Sequence, residues 1–375
     1  MPSATFQPDW VSPPGETVGH ILEERDWSFD DFSKAIEIDR ANLEQLLNGT
    51  LAICDQVAEK LSQTLGATPE FWSTRESNYR ASLLRLESQV QDADSVSWLR
   101  SFPFADMANH GWIRKTQKPA ERLSECLRFF GVGDVDAWEE KYQKLTANVA
   151  FRTSATFDSK VPSVAAWLRK GELEASRIER REWSLCSFLA SLPEIRNLTR
   201  ESDPQKFIPK LIELCGASGL SVVVLPAPKG CKASGATRFV NKSHPVLMLS
   251  ARHLSDDHFW FTFFHESGHL ALHGHEQLFI EFDSSLNSKE EQEANSFAQD
   301  ILIPTQYREE FLQLKRNTRQ VARFARRIGI SPGIVVGQLQ HHGVFEQSRM
   351  NKIKRWFQWD GSRLVAKQRY PRNSS

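Results

Sequence analysis

The stretch FTFFHESGHLALHGHEQLF, residues 261–279, decides how this sequence folds, because it sets four histidines and two glutamates among apolar residues. The apolar spacing predicts a helix. His265 and His269 lie four residues apart, so both imidazoles can reach one metal ion from a single helix face. Glu266, next to the first histidine, can act on water at that ion. Two histidines on a buried helix would be costly without a ligand, which favours a metal site.

Such a site needs a third protein ligand, and two nearby histidines are candidates. His275 stands where the pattern HExxHxxGxxH has its third histidine, but Leu272 replaces the glycine that turns that helix. His273 lies eight residues after His265, about 12 Å further along a helix. It is therefore expected to support a ligand from the end of the helix and not to bind the ion.

A third candidate lies downstream, in the helix predicted over 289–302. Glu291 and Asn295 are four residues apart there, which suits a carboxylate ligand together with an amide that orients a ligating histidine. Glu293 is expected to point elsewhere, and Glu290 is the neighbouring alternative. We therefore predict a metal held by His265, His269 and Glu291, with Asn295 and His273 as supporting residues.

The rest of the chain is mainly helical. Ser28 and Asp39 are predicted N-caps, and Gly49 and Gly66 are predicted helix ends, which together indicate a compact helix-turn-helix module. Three β-rich runs before the histidine stretch predict a small sheet; they cover 221–226, 234–240 and 244–250.

The formal charges of the chain cancel, but they are unevenly distributed. Residues 16–72 carry a net charge of −8 and residues 308–375 a net charge of +11, so the two ends could attract each other or different partners. Five cysteines without a paired spacing predict reduced thiols. There is no basic leader before an apolar run and no apolar span. We therefore expect a cytoplasmic protein without a membrane partner.

The runs FWFTFFHESGHLALHG and EEQEANSFAQDILIP closely resemble the ImmA/IrrE family of zinc metallopeptidases. The resemblance implies a zincin-like domain in which Zn²⁺ is held by His265, His269 and Glu291, with Glu266 as the catalytic base. It also implies peptide-bond hydrolysis, with a helix-turn-helix repressor as the protein substrate. An extended substrate is expected to join the sheet along the HPVLMLS run, 244–250.

The N-terminal region is similar to HigA-type antitoxins of the Xre helix-turn-helix class, including LLNG and GATPEFW. This similarity implies DNA binding and a homodimer. Arg40, Asn42 and Gln45 are the candidate DNA-contacting residues. Glu37 replaces the usual turn glycine, and the acidic charge suits phosphate poorly, so docking to a protein is the alternative.

The predicted fold class is therefore multi-domain and mainly α. It comprises a helix-turn-helix bundle (1–80), a helical linker region (81–200), an α+β zincin-like peptidase domain with a small β-sheet (201–345) and a basic, aromatic tail (346–375). The tail could bind nucleic acid by charge and base stacking. Solvated charge or docking on the acidic module explains it equally well.

Two hypotheses remain for the function. The first is a zinc endopeptidase that controls a stress, phage or toxin-antitoxin regulon. The second is a non-catalytic, antitoxin-like DNA-binding regulator whose zincin-like domain senses a ligand or partner. Glu266 favours the first, because a sensor does not need it. Cys231 is a candidate latency switch, in which its thiolate would occupy the open position on zinc.

Overall fold

The computed structural model describes residues 12–89, 93–142, 161–274, 278–282 and 288–367. The chain divides into two compact units, Met1–Gln143 and Lys144–Ser375, here called unit 1 and unit 2. Unit 1 is helical, and unit 2 combines helices with a small mixed sheet. The predicted fold class, multi-domain and mainly α, is therefore confirmed. No helix within the described ranges is both long enough and apolar enough to cross a bilayer.

Unit 1 is built from consecutive helices. They are α1 Pro14–Glu24, α2 Phe29–Ala35, α3 Arg40–Leu47, α4 Asp55–Leu65, α5 Pro69–Gln89, α6 Ala93–Ser101, α7 Phe104–Asn109, α8 Pro119–Phe130 and α9 over 135–142. The first five surround an apolar core that includes the fully buried Phe32 and Trp72. The indole N–H of Trp72 also donates to the carbonyl of Gly66 at 3.1 Å, which fixes the end of α4 against α5.

Local capping explains why α2 and α3 form a helix-turn-helix. Ser28 Oγ accepts a hydrogen bond from the backbone N–H of Asp31, and the Asp39 side chain accepts one from that of Asn42. Between the two helices Glu37 adopts a φ of 51°, the left-handed conformation that the usual turn glycine provides. The glutamate therefore keeps the turn of this motif without its glycine.

Unit 2 carries the sheet and the histidine helix. Its helices are α10 Val161–Ala175, α11 Leu185–Leu198, α12 Pro204–Gly216, α13 Asp256–Leu272, α14 Lys289–Leu302, α15 Arg308–Leu312, α16 Thr318–Ile328 and α17 Pro332–His341, with a short 3-10 turn at Thr305–Tyr307. Its strands are β1 Ser221–Val224, β2 Ala233–Asn241, β3 His244–Leu249, β4 Phe279–Phe282, β5 Phe357–Asp360 and β6 Arg363–Ala366.

The first four strands form one sheet in the order β1-β3-β2-β4. β3 pairs in parallel with β1 and antiparallel with β2, and β2 also pairs antiparallel with β4. The prediction that substrate joins the sheet along HPVLMLS is therefore wrong, because that run is β3 and both its edges are already paired. The strands at the edges of this sheet are β1 and β4.

α13 packs between the sheet and the surrounding helices because most of its surface is apolar. Trp260, Phe263 and Phe264 are fully buried in the core of unit 2. On another face α13 lies very close to α14: a Cβ added at Gly268 would lie 2.9 Å from the Cα of Ala294. The missing side chain at Gly268 therefore lets the two helix backbones approach each other.

The C-terminal strands β5 and β6 form a hairpin on the core of unit 2. Phe357 and Leu364 are buried in that core. Just before the hairpin, the ammonium group of Lys354 lies 2.6 Å from Asp257 Oδ2, and both side chains are 7% exposed. Arg355 donates from its guanidinium to two backbone carbonyls at 3.0 and 2.8 Å. Two of the basic residues in the predicted tail are thus engaged within unit 2.

Replacing Lys354 by Met is expected to destabilise unit 2 by about 3–5 kcal/mol, because it leaves the carboxylate of Asp257 buried and uncompensated. Chemical denaturation followed by tryptophan fluorescence measures the loss. Lys352→Met is the matched control, since Lys352 is exposed and two residues away. Equal unfolding curves for the two variants would show that the buried ion pair does not support the fold.

Candidate metal centre

Helices α13 and α14 bring three metal-ligating side chains together. The Nε2 atoms of His265 and His269 are 3.1 Å apart, and Glu291 Oε2 lies 3.1 Å from the first and 3.6 Å from the second. All three side chains are buried. No other trio of histidine, cysteine, aspartate or glutamate side chains within the described ranges converges in this way.

The separations of these atoms fit a tetrahedral zinc ion. With ligand bonds of about 2.0–2.1 Å, the ligand atoms of such an ion lie roughly 3.3 Å from one another. The three distances in the structure lie on either side of this value. Two imidazoles and one carboxylate also leave the fourth position of a tetrahedron without a protein ligand, which is typical of a catalytic zinc site. His265, His269 and Glu291 therefore suit Zn²⁺ in both donor type and spacing.

The nitrogens of the two histidines that face away from this centre are held by hydrogen bonds. His265 Nδ1 lies 3.0 Å from Asn295 Oδ1, so the N–H of the imidazole donates to the amide oxygen. His269 Nδ1 lies 2.9 Å from His273 Nδ1, and His273 Nε2 lies 3.1 Å from Glu293 Oε2. With N–H groups donating outward along both paths, each Nε2 keeps a lone pair for a metal ion.

Asn295 and His273 thus lie behind the two histidines, where the sequence analysis expected supporting residues. The expectation that Glu293 points elsewhere is wrong, because its carboxylate reaches His273 at the C-terminal cap of α13. His275, the alternative third ligand, lies outside the described residues.

Negative charge is concentrated around these imidazoles. Burial raises the pKa of Glu266 to about 8, and the charges of Glu281 and Glu291 raise it further, while His265 opposes the shift. Burial disfavours charge on His265, but Glu281, Glu291 and Glu266 outweigh it and raise the pKa of the imidazole to about 9. Burial lowers the pKa of His269 to about 4. A buried cluster of carboxylates around neutral nitrogens is an environment that favours a divalent cation.

Space for the Glu266 carboxylate comes from a glycine in the sheet. A Cβ added at Gly235 of β2 would lie 2.7 Å from Glu266 Oε1. Glu281 of β4 is the cross-strand partner of Gly235, so its side chain leaves the sheet on the face that carries Glu266. The sequence analysis missed Glu281 because it did not predict β4. A phenylalanine of the same strand, Phe279, stacks on the imidazole of His269 at 4.1 Å between ring centroids.

Cys231 is not part of this centre. Its side chain is buried, and burial raises the pKa of the thiol to about 12, so the thiolate that a latency switch requires is strongly disfavoured. The cluster of converging metal-ligating atoms does not include its sulfur. The structure therefore gives the latency hypothesis no support, and we do not carry it forward.

The candidate DNA-contacting residues lie on the exposed side of α3. The Arg40 side chain is 76% exposed, and its guanidinium lies 3.4 Å from Asp30 and 3.7 Å from Glu44. The amide of Asn42 donates to Asp39 at 2.6 Å, and Gln45 is exposed. Carboxylates thus surround the single basic residue of this face, which continues the acidic character of the module.

Comparisons with known proteins agree with both parts of this description. Residues 217–339 match the Peptidase_M78 family model, described as the IrrE N-terminal-like domain. Over 59 residues the chain is 34% identical to an uncharacterized HTH-type transcriptional regulator, YddM of Escherichia coli (strain K12). That stretch is 16% of this chain and 63% of the bacterial protein, so less than two thirds of that relative is covered.

These similarities confirm the predicted resemblance to the ImmA/IrrE type over 217–339. The span contains all three residues of the candidate metal centre. The second match is consistent with a helix-turn-helix unit fused to that domain. The chain thus combines a metallopeptidase-type domain with similarity to a transcriptional regulator.

Replacing Asn295 by Leu is expected to weaken zinc binding by roughly 10–100-fold, because the N–H of His265 loses its acceptor and the imidazole loses its orientation. Competition with a chromogenic chelator measures the affinity. Ser296→Ala, at an exposed position on the same helix, is the control and should bind zinc like the unaltered chain. An unchanged affinity in Asn295→Leu would mean that this hydrogen bond does not hold the ligand.

Proposed function

We propose that this chain is a zinc-dependent endopeptidase that cleaves a helix-turn-helix repressor and so controls a stress, phage or toxin-antitoxin regulon. The observation that carries the proposal is the position of Glu266. Its carboxylate is fully buried beside a donor set that fits Zn²⁺, and neither of its oxygens has a regular hydrogen-bond partner among the described residues. A buried carboxylate without such partners is costly for a purely structural role.

His265, His269 and Glu291 would hold the metal. When bound, Zn²⁺ supplies Lewis-acid chemistry, polarising a peptide carbonyl and lowering the pKa of water. Glu266 takes the proton from the attacking water and passes it to the leaving amine. Burial raises the pKa of this carboxyl to about 8 in the metal-free chain, and a nearby cation would lower it. The group can thus exchange a proton near neutral pH.

The free edge of β4 supports binding of an extended peptide. Within the described sheet β4 pairs with β2 alone, so its other edge can accept an added strand. β4 also carries Phe279, which stacks on His269, and Glu281, which lies on the Glu266 side of the sheet. A peptide added along this edge would therefore run past the metal centre. This position replaces the one expected at β3.

Similarity to a helix-turn-helix regulator supports the regulatory part of the proposal. In this account unit 1 brings the peptidase to its target by dimerising with a related module or by binding DNA near the target. The acidic face around Arg40 favours the protein partner, because phosphate contacts need an excess of basic groups.

The experiment that tests the proposed function compares zinc-loaded chain with the Glu266→Gln variant on helix-turn-helix repressors encoded beside its gene. We expect one or a few defined cleavage products from the unaltered chain. The variant should bind zinc but lose activity by two orders of magnitude or more, on the order of a general base's contribution. Equal cleavage by both proteins would exclude Glu266 as the base. Binding of a repressor or operator without any cleavage would favour the non-catalytic regulator.

Replacing Gly235 by Ala is expected to lower turnover strongly while leaving zinc in place. The added methyl group would lie 2.7 Å from Glu266 Oε1, so the carboxylate must move, whereas the three metal-binding side chains come from α13 and α14. The measurement is zinc content and cleavage rate on the same sample. Gly66→Ala, in unit 1, is the control for a glycine whose Cβ would have no neighbour within 4 Å. Full activity in Gly235→Ala would mean that catalysis does not depend on the position that Glu266 holds beside β2.

A further inference from the structure

A second cavity lies next to the metal centre, between α13 and α17. It has a volume of about 120 Å³, and Phe261 forms part of its wall. Phe261 precedes His265 by one helical turn, and the two ring centroids are 6.2 Å apart. The mouth carries two exposed histidines, His258 and His341. The cavity is thus a neighbour of the metal centre on the same helix, and the proposed chemistry does not use it.

The buried part of this cavity is lined by hydrogen-bond acceptors without partners. Asp257, Gln338 and Gln340 are only 6%, 5% and 4% exposed. Asp257 Oδ1, Gln338 Oε1 and Gln340 Oε1 accept no hydrogen bond from any described residue. No side-chain nitrogen of the described residues that line the cavity lacks a partner in the same way. The unmet groups in this part of the structure are therefore all acceptors.

Neighbouring contacts hold two of these acceptors in place. The amide nitrogen of Gln340 donates to the backbone carbonyls of Gln347 and Arg349 at 3.1 and 2.7 Å, so its oxygen must be the free end of the amide. Asp257 Oδ2 is bound by Lys354, which leaves Oδ1 as the oxygen that can accept from a ligand. Gly337 admits this carboxylate, because a Cβ there would lie 2.4 Å from Asp257 Oδ2.

Three acceptors without donors select a group that only donates. Ammonium and guanidinium groups have this property, whereas a carboxamide brings an acceptor of its own that would stay unpaired. The ring of Phe261 adds an aromatic face, which attracts a cation within about 6 Å of its centroid. The cavity holds one side chain and is too small for a folded segment.

We propose that this cavity is a specificity pocket that takes a lysine or arginine side chain of the peptide substrate, a conclusion that rests on the proposed endopeptidase function. Asp257 precedes His265 by eight residues, which is about 12 Å of helix. An extended peptide advances about 3.3 Å per residue. The basic residue therefore lies within roughly three residues of the cleaved bond.

Binding of small probes tests the pocket without any need for cleavage. The probes are Nα-acetyl-arginine amide and Nα-acetyl-citrulline amide, which have the same shape but differ in one donor that becomes an acceptor. Titration of the full chain, followed by ligand-observed NMR, should give at least roughly tenfold tighter binding of the arginine probe. Gln338→Leu should remove most of this preference. Equal binding of the two probes to the unaltered chain would overturn the proposal.

A gain-of-function variant covers the case in which Gln338→Leu does not fold. Gln338→Glu replaces the amide oxygen by a carboxylate oxygen of the same reach, so the preference for the arginine probe should increase several-fold. Zinc content reports that each variant keeps the fold of unit 2. A folded Gln338→Glu variant with an unchanged or smaller preference would contradict the proposed position of the cation.

Digestion of a mixed peptide library by the zinc-loaded chain separates the two proposals. Lysine or arginine enriched at one position near the cleaved bond would support both. Cleavage without such enrichment would leave the peptidase intact and refute the pocket. An uncut library together with arginine-selective probe binding would count against the endopeptidase and in favour of a cation-binding pocket.

Discussion

Close approach of α13 and α14 is the constraint on which the rest of unit 2 depends. The two helices can meet at Gly268 and Ala294 only because the first has no side chain there. This contact brings Glu291 within 3.1 Å of His265. The apolar residues of α13 hold the helix against the sheet, while its histidines face α14. The metal centre is thus a consequence of how one helix is packed on two sides.

Packing alone would leave these polar groups in an unfavourable environment, and the surrounding contacts compensate for it. Asn295 binds the outer nitrogen of His265, and the His273–Glu293 pair does the same for His269. On the sheet side Gly235 makes room for Glu266. The buried carboxylates repel one another, and a divalent cation at the three-residue donor set would balance that charge. Folding and the proposed chemistry therefore use the same residues.

Features set by short-range rules could be predicted from the sequence. The caps at Ser28 and Asp39 and the helix over 289–302 follow from local patterns, and the structure has them at those positions. The pairing of β3 on both edges and the reach of Glu293 depend on contacts between distant segments, and both predictions were wrong. The hairpin 357–366 was missed because its alternating pattern is short and lies in a basic stretch. The four-part domain division stays a prediction.

Zinc content tests the central claim most directly. Elemental analysis of the purified chain, after dialysis against a weak chelator, should give one zinc per chain. Glu291→Ala should lose the metal, whereas Glu290→Ala, the exposed neighbour on the same helix, should keep it. Stoichiometric zinc in Glu291→Ala, or none in the unaltered chain, would contradict the assignment of this carboxylate as the third ligand.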